Sequence, residues 1–379
     1  MSKETVTILH PFSAEAIGLS FSDVLTSHSK PHKSALKSLQ SAGYTVKVMY
    51  LYYGLFPKSR FVNGIIHKFW PVISLNFKKK NKWRKESSWL HYYSNFFNPN
   101  DLTIINMSGR LSPYTIKIAR LLTLKNKPYI AMIGGLSIAT GPKALDYYKG
   151  AKHIIVHTKK QKESLLQLDG FKTLDVRVIP LGIDTSTFKP KKKDRSSKSL
   201  LYVGRISRLK QIELAIDALH YCKNRGVDCK LKIIGPFSDK HYFDELREKI
   251  RVLKLQHNTE FIGPVPYSQL VEHYQNASLL LLPSQHESFG MVAVEAMACG
   301  TPVAAITGSG GPDEIITHNV DGFLTTKQNY ASLVYEVINN LSNYSEVSSN
   351  CRATVLKKYS EEVTSQLIYK SVKHALSNG

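Results

Sequence analysis

The chain has 379 residues, 42% hydrophobic and 21% charged, with 51 Lys+Arg against 29 Asp+Glu and a formal net charge of +22. That length exceeds one ordinary core and points to two domains, and the composition is that of a folded globular protein rather than a disordered one. No apolar run approaches the roughly 18 residues of a membrane-spanning helix, and the opening MSKETVTILHPFS lacks the long apolar stretch of a signal peptide, so a cytoplasmic chain is expected.

A first strand is predicted at 5–9, ending at His10-Pro11. Helical periodicity through Ala35, Leu36 and Leu39 spans 29–42 and stops at Gly43, and 44–50 reads as a second strand. Strand, helix and strand in this order suggest a parallel sheet. The segment 55–97 departs from that rhythm. It holds eleven aromatic residues, among them all three tryptophans (Trp70, Trp83, Trp89), interleaved with nine lysines and arginines that include Lys78-Lys79-Lys80. Two readings are open: an interfacial membrane contact with rings at headgroup level and cations against anionic lipid, or an amphipathic helix pair with an ordinary core and a solvated basic face. The charge excess bears on the choice. Residues 1–193 hold 31 Lys+Arg against 10 Asp+Glu, and the rest 20 against 19. So lopsided a balance signals a partner, either nucleic acid or an anionic membrane surface.

Regular alternation resumes with strands at 102–107, 129–133, 153–157 and 176–180 and helices at 112–124 and 159–168. A basic polar run, KPKKKDRSSK at 189–198, reads as an interdomain linker. The expected organisation is therefore a first α/β domain at 1–190, a second at 191–360, and a C-terminal helix at 361–379 packing back on the first. The second half begins with a strand at 200–203 that runs into Gly204-Arg205, with a helix from about 211. A strand at 230–234 ends at Gly235-Pro236, and a helix (242–253), a strand (260–262) and a helix (268–276) follow. A strand at 303–306, the glycine-rich turn GSGGPDE, a strand-like 322–325 and helices from 330 to the end complete the chain. Cys222, Cys229, Cys299 and Cys351 show neither disulfide nor metal-ligand spacing, so reduced core thiols and no metal site are expected.

The stretch that organises the second half is 279–302, LLLLPSQHESFGMVAVEAMACGTP. Its apolar run fits a buried parallel strand. Pro283-Ser284 end the run, 285–289 form a polar turn, and Met291, Val294 and Met297 recur at helical spacing until Gly300-Thr301-Pro302 stops the helix. Glu287 precedes the helix and Glu295 lies within it, seven residues between them. The free amides at Gly290, Met291 and Val292 offer donors and a positive dipole end to an anion. Two carboxylates accepting from hydroxyls with an anion between them match a nucleotide sugar; helix-start acids solvated for dipole reasons alone are the plain alternative. Neighbouring strand ends carry related chemistry. Arg205 and Lys210 suit a clamp on a diphosphate, Gly235 and Pro236 permit close approach to a flat base, and Gly308, Gly310 and Gly311 permit amides near an anion.

Together these residues resemble the retaining two-domain GT-B glycosyltransferases of the large glycogen-synthase-like group (glycosyltransferase family 4 type). The matching residues are Ile179-Pro180 with Gly182-Ile183-Asp184 and Phe188, Gly204-Arg205 with Lys210, Pro283-Ser284 with Glu287-Ser288-Phe289-Gly290 and Glu295, then Gly300-Thr301-Pro302, Gly310-Gly311-Pro312 with Glu314, and Gly322. The resemblance covers roughly 150–325 and implies two Rossmann-like α/β/α domains facing across a cleft. It implies that Glu287, near the Ser288, Phe289 and Gly290 backbone, accepts from donor-sugar hydroxyls. Arg205 and Lys210, with the Met291 and Val292 amides, would hold the distal phosphate, and Glu295 the ribose diol. It implies front-face transfer with retention, the leaving phosphate helping to deprotonate the acceptor, and no cofactor beyond the UDP- or GDP-type donor.

This chain departs from many relatives at two places. Gly18 stands alone where a glycine pair follows the first strand, and Gly134 and Gly135 replace a histidine at the end of 129–133; these two are nominated as a backbone contact to donor or acceptor. The expected function is sugar transfer from a nucleotide-diphosphate donor to a lipid-linked acceptor by a cytoplasmic protein peripheral on an anionic membrane. A soluble sugar, sugar-phosphate or protein acceptor is the nearer alternative. A nucleic-acid-binding protein is the remote one, since no reading motif is present and no nucleic-acid partner is expected.

Overall fold

Apolar runs bounded by glycine or proline build most of the strands in the computed structural model, which describes residues 4–17, 24–25, 33–62, 64–72, 83–107, 109–135, 137–191, 198–340 and 344–377. The chain divides into two units, Met1–Gly182 with Glu362–Gly379, and Ile183–Glu361. The linker positions 192–197, the lysines 78–80 and Gly18 lie outside the described residues.

In the first unit the strands are β1 (Thr5–Ser13), β2 (Thr45–Tyr52), β3 (Lys58–Val62), β4 (Ile65–Pro71), β5 (Leu102–Met107), β6 (Tyr129–Ile133), β7 (Ile154–Val156) and β8 (Val176–Val178). They form an eight-stranded sheet in the order β3-β4-β2-β1-β5-β6-β7-β8, parallel except for the antiparallel β3–β4 pair. Its helices are α1 (Lys33–Ser41), α2 (Trp89–Phe97), α3 (Pro113–Leu124), α4 (Pro142–Gly150), α5 (Lys159–Leu166) and, from the end of the chain, α13 (Glu361–Ser377). On one face, Val6, Ile8, Val46 and Val48 pack with Ala35 and Leu39 of α1 and with Ile368, Val372 and Ala375 of α13. On the other, Leu9, Met49, Ile105 and Ile133 pack with Ile118 and Leu122 of α3 and Tyr147 and Tyr148 of α4. A sheet covered on both faces explains why β5 and β6 are buried at every position.

The helix-pair alternative for 55–97 is wrong in its first half, where the chain forms the β3–β4 hairpin instead. The signal in the sequence was the Asn-Gly dipeptide at 63–64, a common hairpin-turn pair; Val62 pairs with Ile65 and Gly64 has φ +80°. Ile65, His67 and Phe69 alternate into the unit, and β4 pairs in parallel with β2. Phe69 and Trp70 are core residues, buried almost completely, and are removed from the set of interfacial rings.

The second unit contains β9 (Ser199–Val203), β10 (Lys230–Ile234), β11 (Thr259–Gly263), β12 (Leu279–Leu282), β13 (Val303–Ile306) and β14 (Phe323–Thr325), with α6 (Ile212–Lys223), α7 (Lys240–Val252), α8 (Tyr267–Asn276), α9 (Met291–Ala298), α10 (Pro312–Ile315), α11 (Tyr330–Asn339) and α12 (Tyr344–Lys358). The parallel sheet runs β11-β10-β9-β12-β13-β14, the doubly wound order in which the chain starts at the centre and reverses direction once. Its core joins Leu200, Tyr202, Leu231 and Leu281 to Ile216 and Leu219 of α6, Leu246 of α7 and Val334 of α11.

Residues 183–190, expected with the first domain, belong to the second unit. The Ile183 amide donates to the Tyr359 carbonyl (2.9 Å), Arg352 donates to the carbonyls of Thr185 and Phe188 (2.9 and 2.6 Å), and the Phe188 ring lies 5.1 Å from that of Tyr267. These contacts fix the segment before the basic run begins. All four cysteines are buried and unpaired. No described helix is long and apolar enough to cross a membrane.

Candidate active site

In a sheet of this order, ligands sit where the strand sequence reverses. Here that point lies between β9 and β12, and the loops leaving those two strands carry Lys210 and Glu287. The Lys210 Nζ stands 2.5 Å from Glu287 Oε1, with 19% of the lysine side chain and 12% of the glutamate exposed. The Gln285 amide donates to the Leu209 carbonyl (3.1 Å), so backbone as well as charge ties the two loops. With its oxygen and nitrogen exchanged, the orientation its neighbours favour, the Gln211 amide would donate to the Pro283 carbonyl and accept from Lys327 Nζ, a second tie. Beneath them lies Tyr202, whose hydroxyl donates to the Arg205 carbonyl (3.1 Å). Burial and then the nearby Glu287 carboxylate push that hydroxyl's pKa well up, and Arg205 opposes the rise. Arg205 is exposed, and its guanidinium has no partner among the described residues. Arg208, by contrast, is spent on Glu245 (2.5 Å).

Gly235 has a structural use that the sequence did not suggest. A Cβ there would stand 1.9 Å from the Gly204 carbonyl oxygen, at φ +144°. What comes close to Gly235 is the neighbouring loop, zipped on by the Gly204 amide to the Ile234 carbonyl and the Ile206 amide to the Pro236 carbonyl, both 2.9 Å. Pro236 is exposed beside it. The glycine turn after β13 also differs from expectation. The amides of Gly308 and Gly310 donate to the two oxygens of Asp313 (2.8 and 2.9 Å), and the Gly311 amide donates to the Glu287 carbonyl (3.0 Å). These amides are therefore committed to the protein. The turn serves to hold Glu287, whose own amide donates to the Ser309 carbonyl (2.8 Å).

Helix α9 starts at Gly290, which has φ +95° and supplies no side-chain cap. Among the described residues the amides of Met291 and Val292 have no acceptor, as the first turn of an uncapped helix leaves them. Phe289 is buried against the Tyr359 ring at 5.9 Å, while Ser288, Met291 and Val292 are half-buried. Glu295 is one turn further in and only 4% exposed. Its oxygens accept from the hydroxyls of Tyr274 (2.7 Å) and Tyr267 (3.2 Å). Burial without a cation raises its pKa to about 7, partly opposed by the two tyrosine hydrogen bonds.

The structure thus brings together Lys210, Glu287 and the open α9 amides, with Arg205 on the same β9 loop as Lys210, and holds Glu295 in a tyrosine clasp. Gly134 and Gly135 lie in the first unit after β6. The Gly134 amide is taken by the Met107 carbonyl (2.7 Å), and the Gly135 carbonyl accepts from Gln161 (3.1 Å). Sequence reasoning missed Tyr202, Tyr267, Tyr274 and Asp313, whose roles come from partners far along the chain. It named Ser284 only as part of the motif and gave no role to Ser309; both have buried hydroxyls with no partner among the described residues and lie on the loops that carry Glu287 and its support. No three His, Cys, Asp or Glu side chains gather as a metal cage among the described residues.

Residues 184–358 match the family model of glycosyl transferases group 1. The second unit is a group 1 glycosyl transferase domain. Among curated relatives, a D-inositol 3-phosphate glycosyltransferase of Pseudarthrobacter chlorophenolicus is 31% identical over 46% of this chain and 44% of its own length. An uncharacterised glycosyltransferase of Methanocaldococcus jannaschii is 35% identical over 43% and 41%. The chain thus spans less than half the length of these relatives. Two solved structures share the fold of the group 1 domain and of the rest of the chain. Sucrose-phosphate synthase of Thermosynechococcus elongatus matches with TM-score 0.74 at 18% identity, over 99% of this chain and 100% of its own. Anabaena HepE in complex with UDP matches with TM-score 0.71 at 19% identity, over 97% and 99%. Both units have the α/β architecture of the GT-B glycosyltransferases.

Proposed function

We propose that the chain is a retaining glycosyltransferase that moves a hexose or similar sugar from a UDP- or GDP-type donor to an acceptor. The observation that carries this reading is the Lys210–Glu287 pair at the strand reversal, beside two helix-start amides that lack an acceptor. In the reaction Lys210 and Arg205 neutralise the departing diphosphate, and the Met291 and Val292 amides donate to it. Glu287, released from Lys210 by the incoming phosphate, accepts from the sugar hydroxyls. The leaving phosphate takes the acceptor proton on the face it vacates, so configuration is retained. Preorganised charges of this kind act where the negative charge grows and need no reorganisation at the moment of transfer. Glu295 receives the ribose diol by exchanging a tyrosine hydroxyl for a sugar hydroxyl.

The acceptor is read as lipid-linked, at an anionic membrane, because nearly all the charge excess falls in residues 1–193. A second reading, a soluble phosphorylated polyol, is favoured by the name of the relatives, D-inositol 3-phosphate glycosyltransferase. A thermal-shift screen against UDP, GDP and ADP sugars tests the donor: a ligand at a hundred times its Kd raises stability by about 2.7 kcal/mol. Stabilisation by one nucleotide class is expected, and none by any would end the proposal. Turnover on inositol phosphate against turnover on a lipid extract then separates the acceptors.

A further inference from the structure

Helix α2 is built inside out. Its buried side chains are His91 and Asn95, while Trp89, Leu90, Tyr93, Phe96 and Phe97 face solvent, Phe97 at 79% exposure. A surface helix ordinarily does the reverse. The inward polar face is well held: His91 Nδ1 meets the Tyr114 hydroxyl at 2.6 Å, the Asn95 amide donates to the His91 carbonyl at 2.9 Å, and Ser88 caps the helix. The outward aromatic face is thus a fixed feature of the fold. Leu124, at the end of α3, extends it. Contiguous exposed apolar surface of this kind marks an interaction site.

The charges around the patch select the partner. Neither α2 nor α3 contains an acidic residue. Lys117 Nζ lies 5.8 Å from the Trp89 ring centre and Lys125 Nζ 4.1 Å from that of Phe96, so ammonium groups and rings stand at one level. Between α2 and α3 runs a groove of about 380 Å³, lined by Trp89, Tyr92, Leu121 and Leu124 together with Lys117 and Arg120. Arg120 has no partner among the described residues. An apolar channel with two cations beside it suits one lipid tail and its phosphate, and rings at the depth of cations suit a headgroup layer.

We infer that α2 is the membrane-docking element of this chain: its aromatic face enters the headgroup layer of an anionic bilayer, and the α2–α3 groove holds one anionic phospholipid with its phosphate on Lys117 and Arg120. This deepens the lipid-acceptor reading, and its test does not depend on turnover. Full-length protein is floated with vesicles of phosphatidylcholine, alone or mixed with phosphatidylglycerol, at low and raised salt. The wild type is expected to float with the mixed vesicles and to be released by salt, with a blue shift in emission that Trp89→Phe removes. Phe96→Ser with Phe97→Ser, and separately Lys117→Glu with Arg120→Glu, change exposed side chains and are expected to weaken binding by roughly tenfold or more, with unaltered melting curves. Equal binding of these variants, indifference to the anionic lipid, or a wild type left in solution as a dimer that the serine variant splits would each overturn the proposal. Vesicle binding without sugar transfer supports docking and counts against the catalytic reading alone. Transfer to a soluble acceptor without vesicle binding overturns docking alone.

Discussion

Lys210 and Glu287 act as each other's counter-charge in the unliganded site, mostly shielded from water and in contact at 2.5 Å. Removing either leaves the other short of a partner, which costs about 1–3 kcal/mol for a group so placed. Lys210→Ala and Glu287→Ala should therefore lower the melting temperature modestly, while each cuts kcat/KM by about 10²–10³-fold, the usual loss of one preorganised stabiliser. Melting curves and donor-hydrolysis or transfer rates check both halves, and near-normal rates would remove the site assignment. Glu295 yields a pH prediction instead. Its folded pKa, about 7, lies above the ordinary 4.5 because burial favours the neutral acid. The folded state then holds the proton more tightly than the unfolded state. The resulting stability is complete below about pH 4.5, declines as pH rises and is gone once pH passes about 7, a swing on the order of 3 kcal/mol at most. Glu295→Gln should lose this dependence, so its stability relative to wild type should rise from pH 5 to pH 8. A constant difference across that range would contradict the assignment.

At the scale of elements, the turn after β13 is the part most sensitive to a single atom. A Cβ on Gly310 would stand 2.3 Å from the Glu287 carbonyl oxygen at φ +124°, whereas one on Gly308, at φ +84°, would meet nothing within 4 Å. Gly308→Ala thus carries backbone strain alone, about 1–2 kcal/mol, and Gly310→Ala adds a clash between backbones. The second variant should melt markedly lower and lose donor affinity, while the first keeps affinity; calorimetry and nucleotide titration separate them. The same turn illustrates what the sequence made legible. The β12–turn–α9 unit and the strands around it could be read directly, since short apolar runs ending in Pro or Gly have few other solutions in an α/β chain. The use of the turn could not be read, because amides that look available to an anion are claimed by Asp313 and Glu287, and only the folded register shows that. Likewise, Tyr267 and Tyr274 reach Glu295 from another helix, beyond any local spacing rule. The α2 inversion was half visible: its aromatic residues stood out, but periodicity alone does not say which face of a helix turns inward, and here His91 and Asn95 do.

At the scale of the whole molecule, the chain leaves the first unit at Gly182 and returns to it at Glu362. The second unit is therefore one uninterrupted segment with its own core around Leu200, Tyr202, Ile216 and Leu281, whereas the first is closed only by α13. That helix places Ile368, Val372 and Ala375 in the sheet core with Ile8 and Val48, and it hydrogen-bonds His153 through Ser371 (2.5 Å) and Ser38 through Ser365 (2.6 Å). Burying an isoleucine or valine side chain contributes about 1.5–3 kcal/mol. Losing these side chains and both hydrogen bonds thus removes an amount comparable with a domain's entire net stability of about 5–15 kcal/mol. Two truncations should therefore behave oppositely. A fragment of residues 183–361 should fold, melt cooperatively and retain nucleotide affinity within about tenfold, because the group 1 domain holds every donor contact proposed above except Gly134 and Gly135. A chain ending at residue 360 keeps that domain but exposes the α1-side face of the first sheet. It should show two transitions, the lower one belonging to the first unit, with dye binding to exposed apolar surface. A single transition at the wild-type temperature would mean that α13 is dispensable, and a fragment 183–361 without nucleotide affinity would move part of the donor site into the first unit.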